Sequence, residues 1–471
     1  VDRLHAILRD CPLHHTAHFL LTLYGKESET DFCARLHSDP AETALDIAGE
    51  LLEAGMLDET TVLFRMLEAG LGAEKLSAMA YYTLADSCER LGHHAEATAY
   101  RGKARSMPIV RVFPHRLYEI DVLCRACEAD TQDGVARYLL GCILYGKGHH
   151  QKAAELWEEA TQVMPEFYIP YRNLAMAYYS HLDRKKDALP YLEKAVSLHP
   201  GDDQLLNEIS FVMASIGVPG EQRAAYILAH MPADSISDDL HLELAKAYNA
   251  AGAYDRAIEV MLSHEFTPGE GGEFVIAETY MFAQFAKGRR SLAAGELEAA
   301  LASFRAALQI PENLHAGFWN ESVTVPYRYF EAEALSRLGR KEEADGVIAA
   351  ISKLNNSGMW NMGGEFTYYS AMLSRLAGRE MEAQSVLRKA ISGWEDALAH
   401  PVYPHSDVKG GRFFYLCFVD DANVLREANL TYMLGYGMLA LGEKDTARDY
   451  FRRSLRLNPD NVKCALELDL L

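Results

Sequence analysis

Tyr138 to Pro165 reads YLLGCILYGKGHHQKAAELWEEATQVMP, and its spacing decides the fold. Small residues stand at Gly141, Ala153 and Ala160, a large aromatic at Trp157, a glycine at Gly148 near the middle, and a proline closes the stretch. Small side chains let two helices approach closely, while the aromatic fills the space between them. Pro165 removes a donor and clashes with the preceding turn, so it ends the second helix. The stretch reads as one helix–turn–helix pair.

The next segment, YRNLAMAYYSHLDRKKDALPYLEKAVSLHP, repeats the pattern at Leu174-Ala175, Tyr178, Ala188, Leu192, Ala195 and Pro200, with one residue added in the turn. Pro165 and Pro200 are 35 residues apart, and the pattern resembles the tetratricopeptide repeat, whose period is about 34 residues. Weaker copies follow at Leu84, Gly92, Ala97 and Ala104, at Leu244, Tyr248, Gly252, Tyr254 and Ala257, and at Gly288, Gly295, Ala300, Phe304 and Ala307. Further units centre on Gly55, Gly339, Gly378 and Gly442. The expected fold is all-α: a right-handed α-solenoid of roughly nine or ten stacked helix pairs, each burying its apolar face against its neighbours. The expected organisation is N-terminal helical repeats over 1–110, regular repeats over 111–262, and repeats with long Gly/Trp-rich loops and a C-terminal capping helix over 263–471.

A chain of 471 residues exceeds what one ordinary core holds, which agrees with an elongated array. Forty-six basic against sixty-seven acidic side chains give a net charge of −21. A surface of that sign repels phosphates, so neither nucleic acid nor an anionic membrane is an expected partner. The eight cysteines lack the density of a disulfide scaffold, which points to a reducing compartment, the cytoplasm. Cys124 and Cys127 form one Cys-x-x-Cys without a second ligand pair nearby, and His93-His94 and His149-His150 both follow a turn glycine, so no metal and no cofactor is expected. The opening VDRLHAILRD already reads as helix, so the sequence is expected to start inside a larger protein.

Three motifs outside the repeats carry a more specific resemblance. CPLHHTAHF (Cys11 to Phe19) is similar to the D-P-L-N-H-x-A-R-F-E motif of large bacterial proteins that join a mutarotase-like β-sandwich region, catalogued as a domain of unknown function, to a long tetratricopeptide region. Pro12, Leu13, His15, Ala17 and Phe19 match that motif, while Cys11, His14 and His18 depart from it. FTPGEGGE (Phe266 to Glu273) resembles the same family's F-x-P-x-E-G-G-E, and IPENLHAGFW (Ile310 to Trp319) its P-E-N-L-x-x-G. The resemblance covers the family's C-terminal part, and implies a parent protein concerned with carbohydrate.

The glycine-rich strings read as connections between units. GGEF at Gly271 to Phe274, GGEF at Gly363 to Phe366 and GGRF at Gly410 to Phe413 each precede an expected first helix, so their loops could line up on one side of the array. GFWN and GMWN place Trp319 and Trp360 in the same region. The candidate binding residues are Glu270, Glu273, Trp319, Trp360 and Glu365, joined by Tyr403, His405 and Asp407. Flat rings pack on sugars or peptides, and carboxylates accept hydroxyl hydrogen bonds or hold a basic segment.

No nucleophile–base constellation, phosphate loop or complete metal set stands in the sequence, and lone acids such as Glu208 and Asp420 read as solvated helix or turn groups. The expected function is a non-enzymatic scaffold for protein–protein or interdomain interaction, its partner a protein segment, its own upstream region or a second copy. The alternative is an accessory region of a carbohydrate-processing enzyme that lends loops to a glycan pocket, and enzymatic activity stays open at this point.

Overall fold

The computed structural model describes residues 1–36, 39–232, 234–269, 272–318, 321–354, 363–400, 407–408 and 418–471. The chain divides into two compact units, Val1–Leu182 and Asp183–Leu471, the division falling inside the segment read as the second regular repeat. Each unit is an α-solenoid segment of stacked helix pairs. The only strands among the described residues are a two-residue antiparallel pairing of Asp407–Val408 with Asp420–Asp421, which places Asp407 opposite Asp421.

The N-terminal unit runs α1 (Asp2–Asp10), α2 (His15–Leu23), α3 (Glu29–Arg35), α4 (Pro40–Glu53), α5 (Leu57–Leu71), α6 (Ala78–Arg90), α7 (His94–Ser106), α8 (Leu117–Ala129), α9 (Gly134–Gly146), α10 (His150–Val163) and α11 (Tyr168–Ser180). Several of its helices start where short polar side chains accept from backbone N–H groups left without a helical partner: Ser28 before α3, Asp39 before α4, Ser77 before α6 and Asp133 before α9. The pairs α4/α5, α6/α7 and α9/α10 pack as hairpins, with α8 set between α6 and α9. His93 and His149 sit in the turns and His94 and His150 open the second helices, close to where the repeat pattern put them.

The C-terminal unit runs α12 (Lys185–Leu198), α13 (Asp203–Ser215), α14 (Gly220–His230), α15 (Asp238–Ala250), α16 (Tyr254–Ser263), α17 (Gly272–Ala294), α18 (Leu297–Ala307), α19 (Val325–Arg337), α20 (Lys341–Ile351), α21 (Gly363–Leu376), α22 (Glu380–Ala399), α23 (Ala422–Ala440), α24 (Lys444–Leu457) and α25 (Val462–Leu470). The first helices of successive pairs, α13, α15, α17, α19, α21 and α23, form one row in which each touches the next. Each of α15, α17, α19, α21 and α23 also packs on the helix that follows it, and these second helices form the other layer.

The small-and-large pairing read from the sequence is the lock between the two helices of a pair. A Cβ at Gly141 would lie 2.4 Å from the Trp157 indole nitrogen, and Trp157, 1 % exposed, donates that N–H to the Tyr138 carbonyl at 3.1 Å. The same lock recurs in the C-terminal unit, where a Cβ at Gly288 would lie 2.6 Å from Phe304 and one at Gly435 would lie 2.4 Å from Phe451. The turn between helices takes φ near +86° at Gly148, a conformation an L side chain rarely adopts. Leu84, Ala97, Ala104, Leu174, Ala188, Leu192, Ala195 and Ala257 are all fully buried, as the spacing predicts.

Two expectations are corrected here. The two GGEF strings are not loops ahead of a helix: Gly272 and Gly363 are the first residues of α17 and α21. Glu208 is not a solvated helix group, because it is fully buried on α13 and accepts from Gln204 at 3.1 Å. Asp420 is likewise mostly covered and pairs with Lys185 at 2.7 Å.

Candidate functional site

The row of first helices in the C-terminal unit is unusually rich in tyrosine. Apolar spacing puts Tyr329 and Phe330 of α19, Tyr368 and Tyr369 of α21, and Tyr432 and Tyr436 of α23 on one continuous buried surface, with ring centroids 5.6 Å apart for Tyr329–Tyr369 and 4.5 Å apart for Tyr368–Tyr436. Such rings supply a stiff apolar wall and leave a hydroxyl at its edge, which must find a partner when buried.

The partners are carboxylates. Tyr432 donates to Glu365 at 3.1 Å, Tyr436 donates to Glu467 of α25 at 3.1 Å, and Tyr369 donates to the Tyr436 oxygen at 3.1 Å. A phenol has one proton, so with these three donated, the 3.1 Å contact between the Tyr432 and Tyr436 oxygens has no proton of its own. Burial, reinforced by the Glu467 carboxylate at Tyr369 and Tyr436 and by Glu365 at Tyr432, pushes all three phenols well above their ordinary range, so they remain donors.

Two cations complete the network. Arg289 of α17 makes a bidentate pair with Glu467, at 2.5 and 3.0 Å, and its guanidinium lies 4.1 Å from the Phe330 ring centroid. Both partners are nearly covered, at 11 % and 3 % exposure. Burial opposes the guanidinium charge; Glu467 outweighs that and holds its pKa above the ordinary value. Lys463, also on α25, sits 3.2 Å from Glu365 and 3.2 Å from Glu278 of α17. Burial again opposes its charge, and the Glu365 and Glu278 carboxylates outweigh it, so Lys463 stays an ammonium.

Of the candidate binding residues, Glu365 stands inside this network, on the first turn of α21 rather than on a loop. Glu273 is in the first turn of α17, partly buried, five residues before Glu278. Glu270, Trp319, Trp360, Tyr403 and His405 lie outside the described residues, as does the side chain of Asp407. Sequence reasoning missed Arg289, Lys463, Glu467, Tyr432 and Tyr436. The available signal was the TYYS and TYMLGYG runs at first-helix positions, and Lys463 and Glu467 four apart on the last helix.

The motifs carrying the family resemblance have structural work. In the first, Phe19 and Ala17 are buried, His14 caps α2, and His18 holds Glu27 at 2.6 Å and the Pro12 carbonyl at 3.0 Å. The other two motifs meet as a clasp. The Phe266 N–H donates to the Asn313 carbonyl at 2.9 Å, and the Asn313 amide donates to the carbonyls of Met261 and His264 at 2.9 and 2.8 Å. Phe266 and Leu314 share a fully buried cluster with Met261 beneath it. Among the described residues no group of three or more His, Cys, Asp or Glu side chains is placed to hold a metal, and no helix is long and apolar enough to cross a membrane.

Residues 138–203 and 430–461 match family models of the tetratricopeptide repeat. Among solved structures, the chain is similar to the human IFIT1 dimer with PPP-AAAA, at 16% identity over 91% of this chain and 93% of that one, with a TM-score of 0.31. It is similar to MamA at 22% identity over 38% of this chain and 91% of that one, TM-score 0.20. For the Naa15/Naa10 assembly bound to HypK-THB the figures are 16%, 75% and 57%, TM-score 0.37. The chain thus carries tetratricopeptide repeats in both of its units, one match bridging α9 to α12 and the other lying on α23 and α24.

Proposed function

We infer that the chain is a non-catalytic scaffold that holds a segment of another protein, and that it forms the C-terminal part of a larger protein. One observation carries this reading: the first-helix row of the C-terminal unit holds a helix, α25, against a tyrosine wall with charges of both signs, Arg289 on Glu467 and Glu365 on Lys463. Charges held by a stiff stack select the pattern of the helix laid on them, and aromatic rings supply its apolar contact. The repeat matches support the reading, since arrays of this kind offer extended surfaces to other chains. The carbohydrate alternative rests chiefly on Trp319 and Trp360, which lie outside the described residues, and no observation favours it.

Selection of displayed helical peptides against the immobilised chain tests the scaffold reading. It predicts a shared sequence pattern among the selected peptides, lost on Glu365→Ala. No enrichment over a bare surface, or a selected set indifferent to every substitution in the row, would remove the reading.

A further inference from the structure

The first-helix row already has an occupant. The terminal helix α25 follows α24 after the short turn Asn458 to Asn461, and packs against α15 and α17 as well as α24. The helix is held at three charged positions, Lys463 to Glu278 and Glu365, Glu467 to Arg289, and Asp469 to Arg290 at 2.9 Å, and its turn at a fourth, Asp460 to Arg223 of α14 at 3.1 Å. Its apolar grip adds to these: Cys464 and Leu466 are buried, with Val462, Leu468, Leu470 and Leu471 partly so.

Building on the scaffold reading, we propose that this surface is a receptor for a helix of another protein bearing a basic residue, an apolar residue next to it, a second apolar residue two positions on and an acidic residue after that, and that α25 is its built-in stand-in. Lys463, Cys464, Leu466 and Glu467 spell that pattern. The acceptor is its mirror: Glu365 and Glu278 take the cation, Arg289 and Tyr436 take the carboxylate.

Two features make α25 displaceable rather than simply part of the core, and a third sets what displacement demands. A helix of nine residues is not stable by itself in water, so α25 owes its order to the surface it occupies. Ion pairs taken out of water add little net stability because desolvation offsets their attraction, yet a mismatched charge there is heavily penalised. The charged contacts therefore select the helix more than they hold it. The tether is short, so α25 competes at an effective concentration on the order of millimolar, and a foreign helix binds only by outmatching it.

The test uses a fluorescein-labelled synthetic peptide of residues 459–471 and the full chain, read by anisotropy. In a Lys463→Glu chain the resident helix meets Glu365 and Glu278 with the wrong charge, and the peptide is expected to bind at least about tenfold more tightly than to the wild-type chain, the worth of one charged contact. A peptide carrying Lys463→Glu should lose that gain. A Lys463→Glu chain that keeps its helical content but binds the peptide no better than wild type overturns the proposal. Should Lys463→Glu unfold the unit, a protease site inserted at the exposed Pro459 serves instead: after cleavage the cut helix is expected to exchange for labelled peptide, and failure to exchange overturns it. Doubling of the molecular mass, with exchange between copies, would make a second copy the occupant and overturn the choice of a foreign partner. If the peptide fails while displayed helices still bind elsewhere, the scaffold reading stands and only this site falls.

Discussion

The two units use the same lock between helices but differ in how far along the chain their buried charges reach. In the N-terminal unit, the buried acids Asp133, Glu119 and Asp86 answer within their own or a neighbouring repeat: Asp133 caps α9 and accepts from Tyr82, 51 residues earlier, Glu119 accepts from the His115 and Arg116 backbone at the start of α8, and Asp86 pairs with Arg125, 39 residues later. In the C-terminal unit, the buried acid Glu467 answers to Arg289, 178 residues earlier. Charge buried between neighbouring repeats ties a helix end to the next helix. Long-range burial of charge makes the last helix a specific, exchangeable piece of the site it fills.

The largest effect expected from this contrast is at Arg289. Arg289→Met leaves Glu467 buried without its partner and should cost about 3–5 kcal/mol in the stability of the C-terminal unit, most of it recovered by adding Glu467→Leu. Urea titration followed by circular dichroism measures both, and a single substitution costing no more than a surface change would break the contrast. The shared lock comes next. Gly141→Ala in one unit and Gly435→Ala in the other should each cost about 1–3 kcal/mol, because the new methyl meets a ring with nowhere to go. A large difference between the two would show that the lock is not common to both units.

Smaller effects sharpen the same picture. Gly102, within α7, faces open space, so Gly102→Ala should raise stability by about 0.5–1 kcal/mol, opposite in sign to Gly141→Ala. Glu333 of α19 has its pKa raised above 4.5, chiefly by burial, with Arg289 and Arg337 pulling the other way. Its protonated form is the one the fold favours, so the contribution is present below the unfolded value of 4.5 and lost as pH rises through the higher folded value. Glu333→Gln should therefore flatten the fall in stability just above pH 4.5, as thermal melts across that window would show; an unchanged slope would place the titration elsewhere.

The helix pairs were legible because their information is local: Gly141, Gly148 and Trp157 lie within one repeat, and each has one steric job. Glu365 was singled out for the glycines beside it, and it does belong to the charged row, but through Tyr432 and Lys463, which lie 67 and 98 residues further on. No periodicity links those positions. The Asn313 clasp is similar: two motifs recognised separately as strings turn out to be one object, because one carboxamide caps the end of α16. Glu208 misled for the converse reason, since a lone acid in an amphipathic helix gives no sign that its face is covered.

Hydrogen exchange on the full chain, with and without saturating peptide of residues 459–471, tests the central claim most directly. The account predicts that the amides of α25 lose protection when the peptide binds, while those of α17, α19, α21 and α23 keep theirs. Amides of α25 that exchange only together with the rest of the unit, with or without peptide, would contradict it.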